Sequence, residues 1–309
     1  MAKKKDKNEP EPAKTRNILV ATLLILGGLY LLSVVFSMMV GTDGNVFEGN
    51  VAVVSVHGLI TPGDEAFGQS VSVNDWLELL DEAAEDPQVQ AVVLDINSPG
   101  GAPVASAELA QAVRSLDKPT VAWIRDLGAS GAYWAASAAD HVVAHELSMT
   151  GSIGVLGSYL EFSQFLDDYN VSYQRLVAGE YKDAGSPLKE LEPKERTMLE
   201  NQLDKMHGIF IEAVAENRNL SVDAVRRVAD GRLLLGGEAL EAGLVDELGG
   251  EDEVRAYLEG RLNASVAMDE LRKERSLVDV LRGVVSDHGY AVGEGLSNGL
   301  RPDEWEVRV

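Results

Sequence analysis

Between Val51 and Ala144 four short, largely apolar runs, at 51–56, 89–96, 120–124 and 141–144, alternate with stretches of helical character. The helical stretches are 73–85, with Trp76, Leu77, Leu79 and Leu80, then 102–116, then the small-residue stretch 130–139. Runs this short and this apolar are strands covered on both faces, and their alternation with helices requires α/β layering around a buried sheet. With 309 residues, 45% hydrophobic and 25% charged, the chain can build a substantial core and is neither disordered nor polytopic. It contains no cysteine, which excludes a disulfide framework, a thiol nucleophile and a Cys-based zinc site.

Upstream of this body, residues 17–40 hold no charged side chain over about 24 positions, long enough to cross a hydrocarbon core of roughly 30 Å. The stretch reads as one transmembrane helix. A cleavable signal peptide competes with that reading, but its apolar region runs to about 7–15 residues before a small-residue site. Residues 1–16 carry six Lys/Arg against three acids, so by the positive-inside rule they form a cytoplasmic basic tail. Everything after 40 then lies on the extracytoplasmic side of the cell membrane, in a single-pass arrangement. Residues 41–50, with Gly41, Thr42, Asp43 and Asn45, form a linker.

The folded domain is expected over 51–264, and its later part is helical. Pro193 opens a long helix signal to Asn217, Ser221 caps the next helix, and a short helix follows Gly236 and ends at Gly243. Residues 265–309 read as a mobile C-terminal extension, with glycine and polar residues between 283 and 299. The net charge is −23, and near −26 once the basic tail is set aside. So acidic a domain repels phosphate backbones, which excludes nucleic acid as a partner, and the charge itself reads as a solvated surface.

Chemistry is concentrated at three places. Ser130, in Asp126-Leu127-Gly128-Ala129-Ser130-Gly131-Ala132-Tyr133-Trp134, follows a strand and opens a helix. Alone it reads first as a helix cap, the commoner role of such a serine, but small neighbours leave room for a carbonyl, and a helix N-terminus aims N–H groups at developing negative charge. The turn Asn97-Ser98-Pro99-Gly100-Gly101 is at least a strand exit, and paired glycines also let a substrate approach backbone donors. Lys182, in Gly179-Glu180-Tyr181-Lys182-Asp183-Ala184-Gly185-Ser186-Pro187, follows the strand-like 173–177. Taken alone it is a solvated surface residue, yet a neutral lysine can deprotonate serine where burial disfavours its ammonium form.

Together these segments, with Thr150-Gly151-Ser152-Ile153-Gly154-Val155 and Gly243-Leu244-Val245-Asp246-Glu247-Leu248-Gly249-Gly250, resemble the signal peptide peptidase A family of membrane-anchored serine-lysine peptidases. The resemblance spans about residues 51–250. It implies an α/β fold with a ClpP/crotonase-like repeated ββα core, an N-terminal transmembrane helix and a helical C-terminal part. It implies Ser130 as nucleophile, Lys182 as general base, Ser152 as the hydroxyl that orients the lysine, and the N–H groups of Gly101 and Gly131 as oxyanion hole. From the residues themselves, the turn with Ser98, Pro99 and Gly100 is expected to bind an extended substrate and the small Ala129 to leave a shallow apolar pocket for it. Ala102 departs from the third glycine of many members. The substrates implied are unfolded apolar peptides, signal peptides above all, cleaved by a homo-oligomer that needs no cofactor and no metal.

Three rivals remain at this level: a Ser-His-Asp protease using His141 or His145, a crotonase-type acyl-CoA enzyme, and a catalytically silent membrane scaffold. The acidic surface would repel neighbouring copies over roughly 10 Å at 0.1 M salt. Self-association of the fragment from residue 46 onward is therefore expected to strengthen across a salt series in sedimentation measurements, and a monomer at every salt concentration would contradict this.

Overall fold

A computed structural model of the chain describes residues 12–39, 47, 49–63 and 72–272, with side chains left out at 12–19 and 34–39. The chain divides into two compact units, Met1–Val46 with Glu274–Val309, and Phe47–Lys273. In the first unit the described element is helix α1, Pro12–Met39. Its described side chains, residues 20–33, are exposed and include Leu23, Leu24, Ile25 and Leu26. Among the described residues no helix is long and apolar enough to cross a membrane. The anchor expected at 17–40 falls on this helix except for Val40, which, with residues 1–11 of the basic tail and most of the linker, lies outside the described residues.

The second unit is a mixed α/β fold. Its elements run β1 (Val51–Ile60), α2 (Val73–Glu85), β2 (Ala91–Gly101), α3 (Pro103–Arg114), β3 (Thr120–Ala129), α4 (Gly131–Ser137), β4 (His141–Ala144), β5 (Met149–Gly151) and α5 (Ser163–Asp168). They continue with α6 (Pro193–Asn217), α7 (Val222–Arg226), β6 (Leu233–Leu235), α8 (Gly236–Glu241), β7 (Glu247–Leu248), α9 (Glu251–Leu262) and β8 (Met268–Glu270). One eight-stranded sheet has the order β6-β5-β3-β2-β1-β8, with β4 paired to β3 and β7. All pairs are parallel except β5 with β6.

Both faces of the central strands are covered, as their uniformly apolar sequence demands. Ala52, Val54, Val56, Leu94, Ile96 and Ile124 pack with Trp76 and Leu80 of α2, Leu109 of α3, Tyr133 of α4 and Val214 of α6. The alternate residues Val51, Val93, Val121 and Val143 pack on Val254 and Leu258 of α9. Local chemistry sets the helix starts. Ser72 caps α2 by accepting from Asn74 N–H at 3.3 Å, and Glu195 accepts the Glu192 N–H at 3.1 Å in the capping box of α6.

The strands are longer than their apolar runs. β1 and β2 stay in register from Val51 opposite Ala91 to Ile60 opposite Gly101, with an irregularity between His57 and Leu59. β3 runs on to Ala129 because Leu127–Ala129 pair with β5 beyond the end of β4. Residues 173–177, strand-like in sequence, form no strand and lie exposed. β8 pairs in parallel with β1, placing Val51 opposite Met268, so the folded unit includes residues beyond 264.

Tyr133 ties α4 to the segment before β7: it is fully buried, and its hydroxyl donates to the Leu244 carbonyl at 2.8 Å. Burial pushes its pKa well above the usual tyrosine value. Tyr133→Phe leaves that carbonyl without its donor and is expected to cost about 1–3 kcal/mol. Urea unfolding checks this: the midpoint should fall at unchanged m-value, and an unaltered midpoint would show the bond to be dispensable.

Candidate active site

Because β1, β2 and β3 run parallel, their C-terminal ends meet at one edge of the sheet, the usual place for a ligand on such a fold. Ile60, Gly101, Ser130 and Ser152 collect there. Ser130 stands between β3 and α4 at φ 53°, ψ −124°, a backbone state that costs a non-glycine residue about 1–3 kcal/mol and clusters at functional sites. Its N–H donates to the Gly151 carbonyl at 2.8 Å, and its own carbonyl accepts the Trp134 N–H at 3.0 Å. Although it occupies the cap position of α4, its hydroxyl makes no capping hydrogen bond. The helix-cap reading of this serine therefore has no contact behind it.

The glycine turn at the end of β2 is seated directly on the serine turn. Gly100 has φ +92°, and a Cβ there would lie 2.5 Å from the Gly131 nitrogen and 3.0 Å from Ser130 Cβ. At Gly101 a Cβ would meet the Ile60 carbonyl oxygen at 2.0 Å, and at Gly131 it would meet Ser106 Oγ at 2.0 Å and the Gly101 nitrogen at 3.3 Å. A side chain at any of the three would collide with its neighbours, so the glycine turn and the start of α4 pack closely at the serine. Ser98 is fully buried behind the turn, where its hydroxyl accepts the Gly100 N–H at 3.1 Å.

A cleft of about 930 Å³ opens over these residues. Pro99, Gly101, Ser130, Gly131 and Ser152 line it, and Val104, Trp134, Met206 and Phe210 supply apolar wall. Trp134 and Phe210 stack at 4.7 Å with 13° between their planes, which fixes the wall between α4 and α6. Ser152, at φ 49°, donates its N–H to the Arg232 carbonyl at 2.9 Å and its hydroxyl to the Gly231 carbonyl at 3.3 Å. Asp230 also lines the cleft, and its hydrogen bonds with Arg232 hold its carboxyl well below the usual carboxylate range.

Of the four residues expected to bind substrate, Pro99 lines the cleft, whereas Ser98, Gly100 and Ala129 are buried and are not among the residues lining it. Lys182 is exposed in a turn where its N–H donates to the Gly179 carbonyl at 3.2 Å, and it is not among the residues lining the cleft. A single chain therefore brings Ser130, Ser152, Gly101 and Gly131 to the lining of one cleft, and Lys182 does not share in that lining. His141 stacks on Tyr257 at 3.9 Å and lies 3.2 Å from Glu247. His145 accepts the Leu147 N–H at 3.1 Å. Neither lines the cleft; His207 of α6 does, with Nε2 3.2 Å from the Ile153 carbonyl. Its sequence neighbourhood is an ordinary amphipathic helix, so only the packing of α6 shows it.

Comparison with known proteins gives a consistent relationship. The model for peptidase family S49 matches residues 112–265. A putative protease of Methanocaldococcus jannaschii is 34% identical over 230 residues, 73% of either chain. A putative protease of Synechocystis is 34% identical over 232 residues, 73% of this chain and 84% of its own. A putative signal peptide peptidase SppA of Enterococcus faecium is 31% identical over 248 residues, 77% of this chain and 68% of its own.

The glycine seating yields a direct test. Gly100→Ala forces a Cβ onto the Gly131 nitrogen and should lower turnover of an unfolded peptide by about 100-fold or more, the scale of losing one oxyanion donor. Gly260→Ala in α9, where a Cβ meets nothing within 4 Å, should leave turnover unchanged. Equal rates for both variants would mean that the turn is not catalytic.

Proposed function

Because this chain belongs to peptidase family S49, and is thus a peptidase, we propose that Ser130 is its nucleophile and that it cleaves signal peptides and other unfolded apolar peptides. The observation that carries this reading is the Ser130 hydroxyl, uncapped on a strained turn beside the adjoining Gly101 and Gly131 nitrogens. In the proposed mechanism Ser130 Oγ attacks the scissile carbonyl carbon and its proton passes to the neutral amine of Lys182. The two glycine N–H groups hold the oxyanion, and the lysine ammonium returns the proton to the leaving amine. Water, deprotonated by the same lysine, then attacks the acyl carbon, and as the bond to Ser130 Oγ breaks the lysine ammonium returns the proton to that oxygen, which frees the acid and restores the serine and the neutral amine. Ser152 donates its hydroxyl hydrogen bond to the Gly231 carbonyl, which leaves the lone pairs of its oxygen to accept an N–H of Lys182 and orient it. No cofactor enters these steps.

Desolvation is what turns a lysine into a base, and one chain alone leaves Lys182 exposed. No residue from 154 to 194 is buried, while Leu156, Leu160, Tyr169 and Leu176 on this segment are more than half exposed. The proposed active form is a homo-oligomer in which this segment packs on a second copy and carries Lys182 to a serine cleft. The core is read as ClpP/crotonase-like. The uncharged stretch 17–40 is proposed as the single membrane anchor, with the peptidase domain extracytoplasmic, where apolar remnants of signal peptides arise. An apolar cleft at the end of parallel strands admits an extended peptide and not a folded protein.

Ser130→Ala and Lys182→Ala are each expected to abolish most turnover of a synthetic signal peptide while the fold stays intact. Mixing the two inactive variants under conditions of subunit exchange should restore cleavage, since some clefts then combine an intact Ser130 with an intact Lys182. Wild-type turnover by Lys182→Ala, lost only on His207→Ala, would instead favour a histidine base.

A further inference from the structure

Lys182 is flanked by carboxylates at Glu180 and Asp183, and both are taken by other cations. Lys194 Nζ lies 2.7 Å from Glu180 Oε1 and 3.4 Å from Glu192 Oε2, with Tyr181 facing it at 6.0 Å. Arg175 grips Asp183 with both ends of its guanidinium, Nε to Oδ2 at 2.6 Å and Nη2 to Oδ1 at 2.8 Å. The same Nη2 donates to the Glu180 carbonyl at 3.2 Å, so one guanidinium spans the turn that carries Lys182. Lys189 Nζ stands 4.0 Å from Asp183 Oδ1 and reaches both oxygens of Glu195, at 2.6 and 2.7 Å.

Glu195 is the anchor of this chain of charges. It is fully buried in the first turn of α6, within a region whose other residues are not. A carboxylate at this position of a capping box needs only the backbone N–H it accepts; its burial against Lys189 fixes the 183–189 stretch to the helix. Of the three lysines between 180 and 194, Lys189 and Lys194 are ion-paired, and Lys182 makes no ion pair among the described residues.

We propose that Arg175, Lys194 and the Lys189–Glu195 pair are positioning residues for Lys182: they hold the turn and keep its two flanking carboxylates off the amine. The chemistry requires this, because a carboxylate within a few ångströms of an amine stabilises the ammonium, which cannot accept a proton from serine. Consistent with that arrangement, hydrogen bonding to Arg175 holds the Asp183 carboxyl below its ordinary range, and hydrogen bonding to Glu180 raises Lys194 above its own. The inference rests on Lys182 being the base.

The test is the pH dependence of kcat for a synthetic signal peptide, measured on the full chain. Arg175→Gln releases Asp183, whose charge then favours ammonium at Lys182; the rising limb should move to higher pH by about one unit. Turnover at a fixed pH on that limb should fall about tenfold and recover at alkaline pH, with KM little changed. Arg175→Lys, which keeps the charge but loses the fork and the bond to the Glu180 carbonyl, should move the limb less than Arg175→Gln, and Arg175→Gln combined with Asp183→Asn should return the limb to its wild-type position because the freed charge is gone. A merely structural role lowers kcat alike at every pH and is not rescued by the second substitution. An inactive Lys182→Ala together with an unshifted Arg175→Gln profile overturns the positioning role alone. A fully active Lys182→Ala overturns the lysine base and this inference with it.

Discussion

The site depends on one steric fact, that the end of β2 lies against the turn between β3 and α4 with no room for a side chain. A Cβ at Gly100 would stand 2.5 Å from the Gly131 nitrogen, well inside contact distance. The approach follows from the sheet: β1, β2 and β3 are parallel and stay paired, through one irregularity in each ladder, to Gly101 and Gly128, so the chain exits from all three at the same edge. β5 pairs with the last residues of β3 and delivers Ser152 beside Ser130, through the bond from Ser130 N–H to Gly151. The apolar packing on both faces of the sheet thus holds an arrangement that is locally unfavourable, with Ser130 and Ser152 both at positive φ.

Much of this was legible in the sequence where periodicity, caps and length agree. Val73–Glu85, His141–Ala144 and Pro193–Asn217 carry clear periods or punctuation, and their observed limits coincide with the expected ones. The ends of β1, β2 and β3 were not legible, because polar and glycine-rich residues such as 97–101 look like turns and join the sheet through ladder pairing with distant strands. β5 to β8 have two or three residues each, too few to show a period.

The chemistry separates along the same line. Glycines 100, 101 and 131 announce themselves by type, and the structure gives the physical reason in their contacts. Ser98 and Ala129 are of the same small type, yet they are buried supports, since smallness alone does not distinguish a pocket floor from a packing contact. The strand-like pattern of 173–177 forms no strand, and apolar side chains of 156–176 are exposed; in the proposed homo-oligomer these are the groups that would pack on a second copy. Lys182 is exposed on the same stretch, and the proposal assigns its place at the serine to that second copy.

Labelling with a fluorophosphonate, mapped by peptide mass spectrometry on the full chain, tests the central claim that Ser130 is an activated nucleophile dependent on Lys182. The account predicts a single adduct on Ser130 that is lost in Lys182→Ala and kept in His207→Ala. Undiminished labelling of Ser130 in Lys182→Ala, or an adduct on another serine in the wild-type protein, would contradict it.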